Sequence, residues 1–177
     1  MKKSLFREGH YYFHINLDFN VHPIFKELDW IFVQKNVNQC LQAHSIHLHA
    51  LVMMDTHLHL LIQSDNQKEN FFCESLVLLL KMPHQPIECH CEPVPTYAQY
   101  INTYKYIYRN PVDAGLARQV EDYSYSTLRG LLGLSVLYCE IIDHLGLIQN
   151  PLQHLNWMNN RQSFKHSKLS QFDDILR

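Results

Sequence analysis

The sequence predicts an α+β fold, in which an antiparallel sheet carries helices on one face. Two apolar runs, residues 46–54 and 57–63, flank the short link Asp55-Thr56, and this arrangement is typical of a β-hairpin. Segments with helical periodicity separate the other strand-like segments, so the order along the chain is β-α-β-β-α-β-α. With 177 residues, 46% of them hydrophobic, the chain can form one domain with a real core.

The first half of the chain contains one further strand and two helices. Residues 10–19 are aromatic and β-branched with partial alternation, which predicts a strand. Residues 24–43 place apolar side chains on a helical stripe, and Pro23 stands where that helix would begin. Residues 65–82 change from polar to apolar and predict a second helix that ends before Pro83.

The second half adds a strand and a tyrosine-rich helix. Residues 87–94 alternate like a strand, and Pro93 restricts that strand to an edge or an end of the sheet. Thr96 is a candidate N-cap for the helix that follows, and Pro111 is expected to end this helix. A central hairpin with helices between the remaining strands favours a ferredoxin-like antiparallel sheet with the helices packed on one face.

The C-terminal part is predicted to be an extension of this domain. Within residues 120–133 we expect a short helix with Ser or Thr at its start, and residues 135–148 look helical and apolar. Residues 150–177 are polar with few core anchors, which predicts a loosely attached tail. The predicted division is therefore a main domain over 1–133 and a helical extension with a tail over 134–177.

Composition and net charge restrict the cellular compartment and the binding partners that we expect. The five cysteines are odd in number and scattered, which favours reduced thiols in a cytoplasmic protein. We find no signal peptide and no apolar run of the roughly 20 residues that cross a bilayer, so no membrane partner is expected. The formal net charge of -2 does not favour a nucleic-acid partner, because phosphate binding needs lysine and arginine.

Two His-x-His pairs are candidate metal ligands. His57 and His59 stand two apart on a predicted strand, so both imidazoles point to one face and can reach one metal ion. His47 and His49 have the same spacing on the neighbouring strand, and spacing does not separate the two pairs. Because the chain has 13 histidines, chance alone gives about one such motif, and strand packing is the alternative explanation for either pair.

The tyrosine-rich helix carries a second candidate group. Tyr106 and Asn110 are four residues apart, so their side chains lie on the same helical face and could converge on one metal. The helix has five tyrosines, most of which must be packing residues. They are Tyr97, Tyr100, Tyr104, Tyr106 and Tyr108.

Three segments in order resemble the IS200-like single-tyrosine transposase superfamily, nearest its branch associated with repetitive extragenic palindromes (REP). They are MMDTHLHLLI, then KYIYRNPVDAGLA some forty residues later, and VEDYSYSTLRGLLG. The resemblance covers roughly residues 8–133. It implies that His57 and His59 bind a divalent metal ion, Mg²⁺ or Mn²⁺, with Asn110 completing the site. It also implies that Tyr106 is the catalytic nucleophile.

The function that this resemblance implies is DNA transposition, a form of recombination. Single-stranded or hairpin DNA would be nicked and rejoined through a 5′-phosphotyrosine intermediate, without a nucleotide cofactor. Members of the superfamily occur as monomers and as dimers that share active sites, so a homodimer is a further expectation. Four cationic residues flank the motifs and are candidate phosphate contacts. They are Lys105, Arg109, Arg118 and Arg129.

The chain departs from the family pattern where a basic stretch is usual. The region between the histidine strand and the tyrosine helix is short and has few lysines and arginines, and Asp113 stands where the family often has arginine. These departures favour an alternative function, a catalytically degenerate DNA-binding relic of the same fold. A metal-binding protein unrelated to DNA is a third possibility. Cys89 and Cys91 share a strand face, but no further zinc ligands stand at a suitable spacing.

Overall fold

The computed structural model describes residues 11–19, 28–65, 68–80 and 86–160, and these form a four-stranded antiparallel sheet with helices packed on it. The strands are β1 (Tyr11–Phe19), β2 (Ile46–Met53), β3 (His57–Ser64) and β4 (Ile87–Pro93). The helices are α1 (Trp30–His44), α2 (Glu69–Leu80), α3 (Tyr97–Asp113), α4 (Thr127–Leu131) and α5 (Pro151–Asn159). The strand order β2-β3-β1-β4 is that of a ferredoxin-like sheet, so the predicted α+β class is confirmed.

The predicted hairpin is present, with β2 at one edge of the sheet and β3 inside it. The backbone N–H of Met54 donates to the carbonyl oxygen of His57 at 2.8 Å, which closes the link between β2 and β3. β3 pairs with β2 on one side and with β1 on the other, so every backbone group along it has a neighbouring strand. Because successive side chains alternate between faces, Leu58 and Leu60 enter one core while His57 and His59 face the other side.

The first helical layer, α1 and α2, covers one face of the sheet. Ile15 and Leu17 of β1 are fully buried against this layer, which contributes Val33, Val37 and Phe72. Asp29 caps α1 by accepting a hydrogen bond from the N–H of Phe32 at 2.9 Å. The helix begins at Trp30, later than the start at Pro23 that the sequence predicts, because Asp29 is its N-cap; Pro23 itself lies outside the described residues.

A second helical layer lies on the opposite face, where the sequence prediction placed none. α3 buries one stripe of side chains, including Tyr100 and Tyr104, against Ala50, Val52 and Leu61 of the sheet. These short and branched side chains make the β2–β3 end of this face apolar, so a helix can cover it. His57 and His59 of β3 lie on the same face.

α3 begins as predicted and ends later than predicted. Thr96 Oγ1 accepts a hydrogen bond from the N–H of Gln99 at 3.2 Å, which confirms the N-cap. The helix runs through Pro111 to Asp113, so the prediction that Pro111 ends it was wrong. A proline in the last turn removes only one helical hydrogen bond, and Ala114 N–H still donates to Asn110 O at 2.9 Å. Asn110 therefore keeps helical geometry.

The helix predicted over residues 135–148 is absent; this segment consists of turns and irregular chain. Gly133 and Gly146 adopt positive φ values of 72° and 69°, which interrupt helical geometry before and within it. The segment is nevertheless fixed to the sheet, because Ile142 N–H donates to Leu48 O at 2.8 Å.

A helix occurs instead in the region predicted to be a loose tail. α5 begins with Pro151 at its first turn, and its Met158 is fully buried in the core under α3. In this polar segment of the sequence, Pro151 and Met158 gave only a weak indication of a packed helix. Residues 161–177 of the predicted tail lie outside the described residues. The proposed domain boundary at residue 133 stays a prediction.

Candidate metal and tyrosine site

His57 and His59 converge on the sheet face that α3 partly covers. Their Nε2 atoms are 2.9 Å apart, and His59 is only 3% exposed. Two nitrogens bound to one metal ion at 2.0–2.1 Å and at a right angle would lie about 2.9 Å apart. The spacing predicted from sequence is therefore realised as two imidazole nitrogens that can share one ion.

The surroundings of both histidines favour the neutral imidazole. Burial, followed by the proximity of His57 and His14, lowers the pKa of His59 to about 3. Burial also lowers the pKa of His57, against the opposing influence of Asp18 and Asp55. Since the neutral imidazole is the form that coordinates metals, both shifts favour the protonation state that a metal site needs.

Tyr106 and Asn110 reach this pair from α3. Asn110 Nδ2 donates a hydrogen bond to Nε2 of His59, and the Tyr106 ring centroid lies 5.5 Å from that of His59. The oxygen and nitrogen of an amide exchange places when the side chain rotates, so Asn110 can present Oδ1 at the same point. The structure thus brings together the four residues that the resemblance selected, and it does so within one chain.

Tyr106 differs from the other tyrosines of α3 in its surroundings. Tyr100, Tyr104 and Tyr108 are fully buried, and burial raises the pKa of each hydroxyl. Tyr97 stacks on Tyr100 with ring centroids 6.5 Å apart. Tyr106 is 50% exposed and lies against the histidines, so it can meet both a metal ligand and a molecule in solvent.

His14 is a site residue that the sequence analysis did not single out. Its Nε2 lies 3.1 Å from His59 Nδ1, and its ring centroid is 5.9 Å from that of Tyr106. The signal in the sequence was the polar alternation of β1, where His14, Asn16 and Asp18 share a face. The register places Asn16 opposite His59 and Asp18 opposite His57, which no pattern in the sequence could reveal.

The donor atoms at this site fit a metal ion held by few protein ligands. In the described part of the chain, no group of three or more His, Cys, Asp and Glu residues is arranged to hold a metal. The third protein donor would be the amide of Asn110. The buried Oδ1 of Asn16, across from His59, also lacks a hydrogen-bond partner among the described residues. An incompletely ligated ion would leave positions open for substrate oxygens.

The second His-x-His pair does not form a comparable group. A β-bulge between Leu48 and Ala50 interrupts the register of β2, and His47 is exposed whereas His49 is fully buried. His49 Nδ1 lies 2.8 Å from the hydroxyl of Tyr100, which fixes it in the core beneath α3. Structure therefore separates the two pairs, although spacing could not.

The candidate phosphate contacts have unequal surroundings. Arg109 is buried and bonds to Asp113 at 3.1 Å and to the carbonyl oxygens of Met158 and Asn159 at 3.0 and 2.8 Å. Its guanidinium holds the end of α5 against α3, so it is poorly placed for a phosphate.

The other three cations lie nearer the surface. Lys105 donates to the carbonyl oxygen of Asn160 at 2.8 Å, and its ammonium lies over the Trp157 ring. Arg129 donates to the carbonyl oxygen of Glu121 at 2.8 Å and is partly exposed. Arg118 is exposed, and of the four it is the best placed to meet an anion in solution.

Cys89 and Cys91 point away from the histidines. They pack against the α1–α2 core, where their thiols are hydrogen-bonded to the thiol of Cys73. His90, between them, is exposed and lies 3.9 Å from a Glu88 carboxylate oxygen. The alternation predicted for this strand is present, and its thiols belong to the core side of the sheet.

Comparison with known proteins finds a similarity of fold. No family model matches the chain, and no curated protein matches it. The fold is similar to that of a REP-associated tyrosine transposase solved bound to a REP hairpin, with a TM-score of 0.54 and 18% sequence identity. The similarity covers 72% of this chain and 82% of the other. At this identity the similarity shows the fold alone. None of the described helices has the length and apolar character to cross a membrane.

Proposed function

We propose that this protein is a metal-dependent DNA-nicking and strand-transfer enzyme whose nucleophile is Tyr106. The observation that carries the proposal is the convergence of α3 and β3, with Asn110 bonded to His59 and Tyr106 in ring contact with it. A half-exposed tyrosine beside two neutral histidines can do chemistry that a packing tyrosine cannot.

The proposed reaction is an exchange of phosphate esters. The hydroxyl oxygen of Tyr106 attacks the phosphorus of a DNA phosphodiester, and the bond from phosphorus to the 3′ oxygen breaks. The phenolic proton is balanced by the proton that the departing 3′ oxygen acquires, and the 5′ phosphate stays on the tyrosine. Because the ester bond is conserved, a 3′-hydroxyl can later attack the phosphotyrosine and rejoin a strand.

In this scheme the residues of β3 and α3 hold the metal ion and position Tyr106 relative to the phosphate. His57, His59 and Asn110 would hold Mg²⁺ or Mn²⁺, which when bound polarises the scissile phosphate. The fixed distance between α3 and β3 then sets the approach of Tyr106 to the phosphate. Exposure of Tyr106 leaves room for a single strand beside it.

The structural neighbour and the exposed position of Tyr106 support a proposed substrate class. The relative was solved with a REP hairpin, and we propose hairpin or single-stranded DNA as the partner of this chain. Arg118 is the proposed phosphate contact, with Arg129 and Lys105 as weaker candidates because each already donates to a backbone carbonyl oxygen.

DNA binding without cleavage is the second candidate function. It is favoured by the departures from the family pattern, since Asp113 stands where the family often has arginine and pairs with Arg109. The net charge of -2 weakens DNA binding under either function. Under this alternative the histidines and Tyr106 would remain in place without supporting catalysis.

The direct test incubates the full chain with labelled hairpin DNA carrying a single-stranded flank, with Mn²⁺, Mg²⁺ or a chelator, and examines a denaturing gel. We expect a covalent protein–DNA adduct that requires the metal, that Tyr106→Phe abolishes and that Tyr104→Phe retains. Tyr104 is the matched control because its ring is fully buried on the same helix. If the protein binds DNA but forms no adduct with Mn²⁺ or Mg²⁺, the second candidate function, DNA binding without cleavage, is supported instead. An adduct that survives Tyr106→Phe would refute the choice of nucleophile.

A further inference from the structure

His14 contacts both His59, a proposed metal ligand, and Tyr106, the proposed nucleophile. Its Nε2 lies 3.1 Å from Nδ1 of His59, and the two rings are stacked with centroids 5.2 Å apart. It also meets the Tyr106 ring edge-on at 5.9 Å between centroids. β1 therefore places one imidazole behind the buried histidine and beside the tyrosine.

The position of His14 follows from the register of the sheet. Its direct cross-strand partners are Leu61 on β3 and Glu92 on β4, so His59 is its diagonal neighbour on the same face. Diagonal neighbours in an antiparallel sheet are close enough for ring-sized side chains to touch. The contact is thus fixed by backbone pairing.

A hydrogen bond between two neutral imidazoles has only two arrangements. Either Nδ1–H of His59 donates to His14, or Nε2–H of His14 donates to His59. In the second arrangement His59 carries its own proton on Nε2, the nitrogen that faces His57 and Asn110. Only the first arrangement leaves a lone pair on that nitrogen for a metal ion.

We propose that His14 is a positioning residue that accepts the Nδ1 proton of His59 and thereby keeps Nε2 of His59 directed at the metal. This inference rests on the proposed function, since it assumes that His59 is a ligand. Outer partners that accept the second ring proton of a metal-bound histidine commonly fix its tautomer and its orientation. His14 is such a partner, and its edge contact also restricts the ring of Tyr106.

The first measurement is Mn²⁺ affinity by titration calorimetry on the full chain, compared among wild type, His14→Ala, His14→Gln and His90→Ala. We expect His14→Ala to weaken binding roughly 10–100-fold, the usual cost of losing an outer-shell partner. His14→Gln should recover most of the affinity, because its amide oxygen can accept the same proton. His90→Ala should bind as wild type does, because His90 is exposed on β4 beside Glu88.

The second measurement is the tautomer of His59 by nitrogen NMR of the metal-free protein. We expect the proton on Nδ1 in wild type and in His14→Gln, and a mixture of tautomers in His14→Ala. Thermal melting of each variant identifies any that fail to fold, and His14→Gln remains informative if His14→Ala does not fold.

The outcomes separate this inference from the proposed function. If wild type binds Mn²⁺ and forms the DNA adduct while His14→Ala binds Mn²⁺ equally well, only the role of His14 is refuted. If His14→Gln is as weak as His14→Ala, His14 acts otherwise than as an acceptor, and the inference is again wrong. If wild type neither binds Mn²⁺ nor forms an adduct, the proposed function fails and this inference fails with it.

Discussion

The rings of His59 and Tyr106 lie 5.5 Å apart, although His59 belongs to strand β3 and Tyr106 to helix α3, which packs on the sheet face. The contact forms within a single chain. It depends on α3 docking through Tyr100, Tyr104 and Tyr108, which are fully buried, so that Tyr106 faces the histidines. Packing of three tyrosines thus determines where the fourth can act.

Loss of either histidine should weaken metal binding more than loss of His14. His57→Ala or His59→Ala removes a proposed ligand, so the fall in Mn²⁺ affinity should exceed the roughly 10–100-fold cost of an outer partner. His47→Ala is the control, since His47 is exposed on β2. Equal affinities in His59→Ala and His47→Ala, measured by calorimetry, would exclude His59 as a ligand.

The site should work within one subunit. The contacts among His59, Tyr106 and Asn110 are made inside one chain, so no partner is needed to complete them. A mixture of Tyr106→Phe and His59→Ala proteins should therefore form no DNA adduct. Recovery of adduct in the mixture, with each variant inactive alone, would instead show dimers that exchange α3.

Arg109 should matter for stability and Arg118 for DNA binding. Arg109→Ala removes the donors to Asp113 and to the carbonyl oxygens of Met158 and Asn159, which should lower the free energy of unfolding by about 2–3 kcal/mol. Arg118→Ala should leave unfolding unchanged and reduce the salt dependence of DNA binding by about one phosphate contact. Denaturant titration and binding at several salt concentrations measure the two effects. The reverse pattern would contradict the assignment.

Acid should destabilise the fold through His49. Burial lowers the pKa of His49 to about 3, with smaller contributions from His144 and His47, whereas a histidine in the unfolded chain has a pKa of about 6.5. Below pH 6.5 the unfolded chain takes up a proton that the folded chain does not, so stability falls as the pH decreases towards 3. At pH 5 this contribution is about 2 kcal/mol.

The variant His49→Asn isolates that contribution, since an amide can still bond to the hydroxyl of Tyr100 but does not titrate. Its loss of unfolding free energy between pH 7 and pH 5 should be smaller than that of wild type by about 2 kcal/mol. His47→Asn, at an exposed position, should follow the wild-type profile. Parallel profiles for wild type and His49→Asn would show that His49 is not the group responsible.

Local patterns in the sequence predicted most of the sheet. The hairpin, the alternation of β1 and the Thr96 cap depend on residues close together in the chain, and all three are present in the structure. α5 was missed because its stability comes from burial of Met158 and from contacts with Arg109, which are tertiary effects. The apolar residues of 135–148 fill gaps in both cores rather than one helical face.

The candidate site could be predicted only where it is local in sequence. His57 with His59 and Tyr106 with Asn110 are short-range pairs whose periodicity fits a strand and a helix. Joining them required a family resemblance, because contact between β3 and α3 depends on packing. His14 belongs to the site because of the register of β1 on β3, which the sequence does not reveal. Arg109 was predicted to contact DNA because the sequence does not show that its side chain is buried.

Peptide mapping of the covalent adduct tests the central claim most directly. After reaction with hairpin DNA and Mn²⁺, the complex is digested with nuclease and protease, and mass spectrometry locates the residue that carries the nucleotide phosphate. We predict a phosphodiester on Tyr106. Attachment to another tyrosine, or recovery of an unmodified Tyr106 peptide when cleaved DNA is present, would contradict the account.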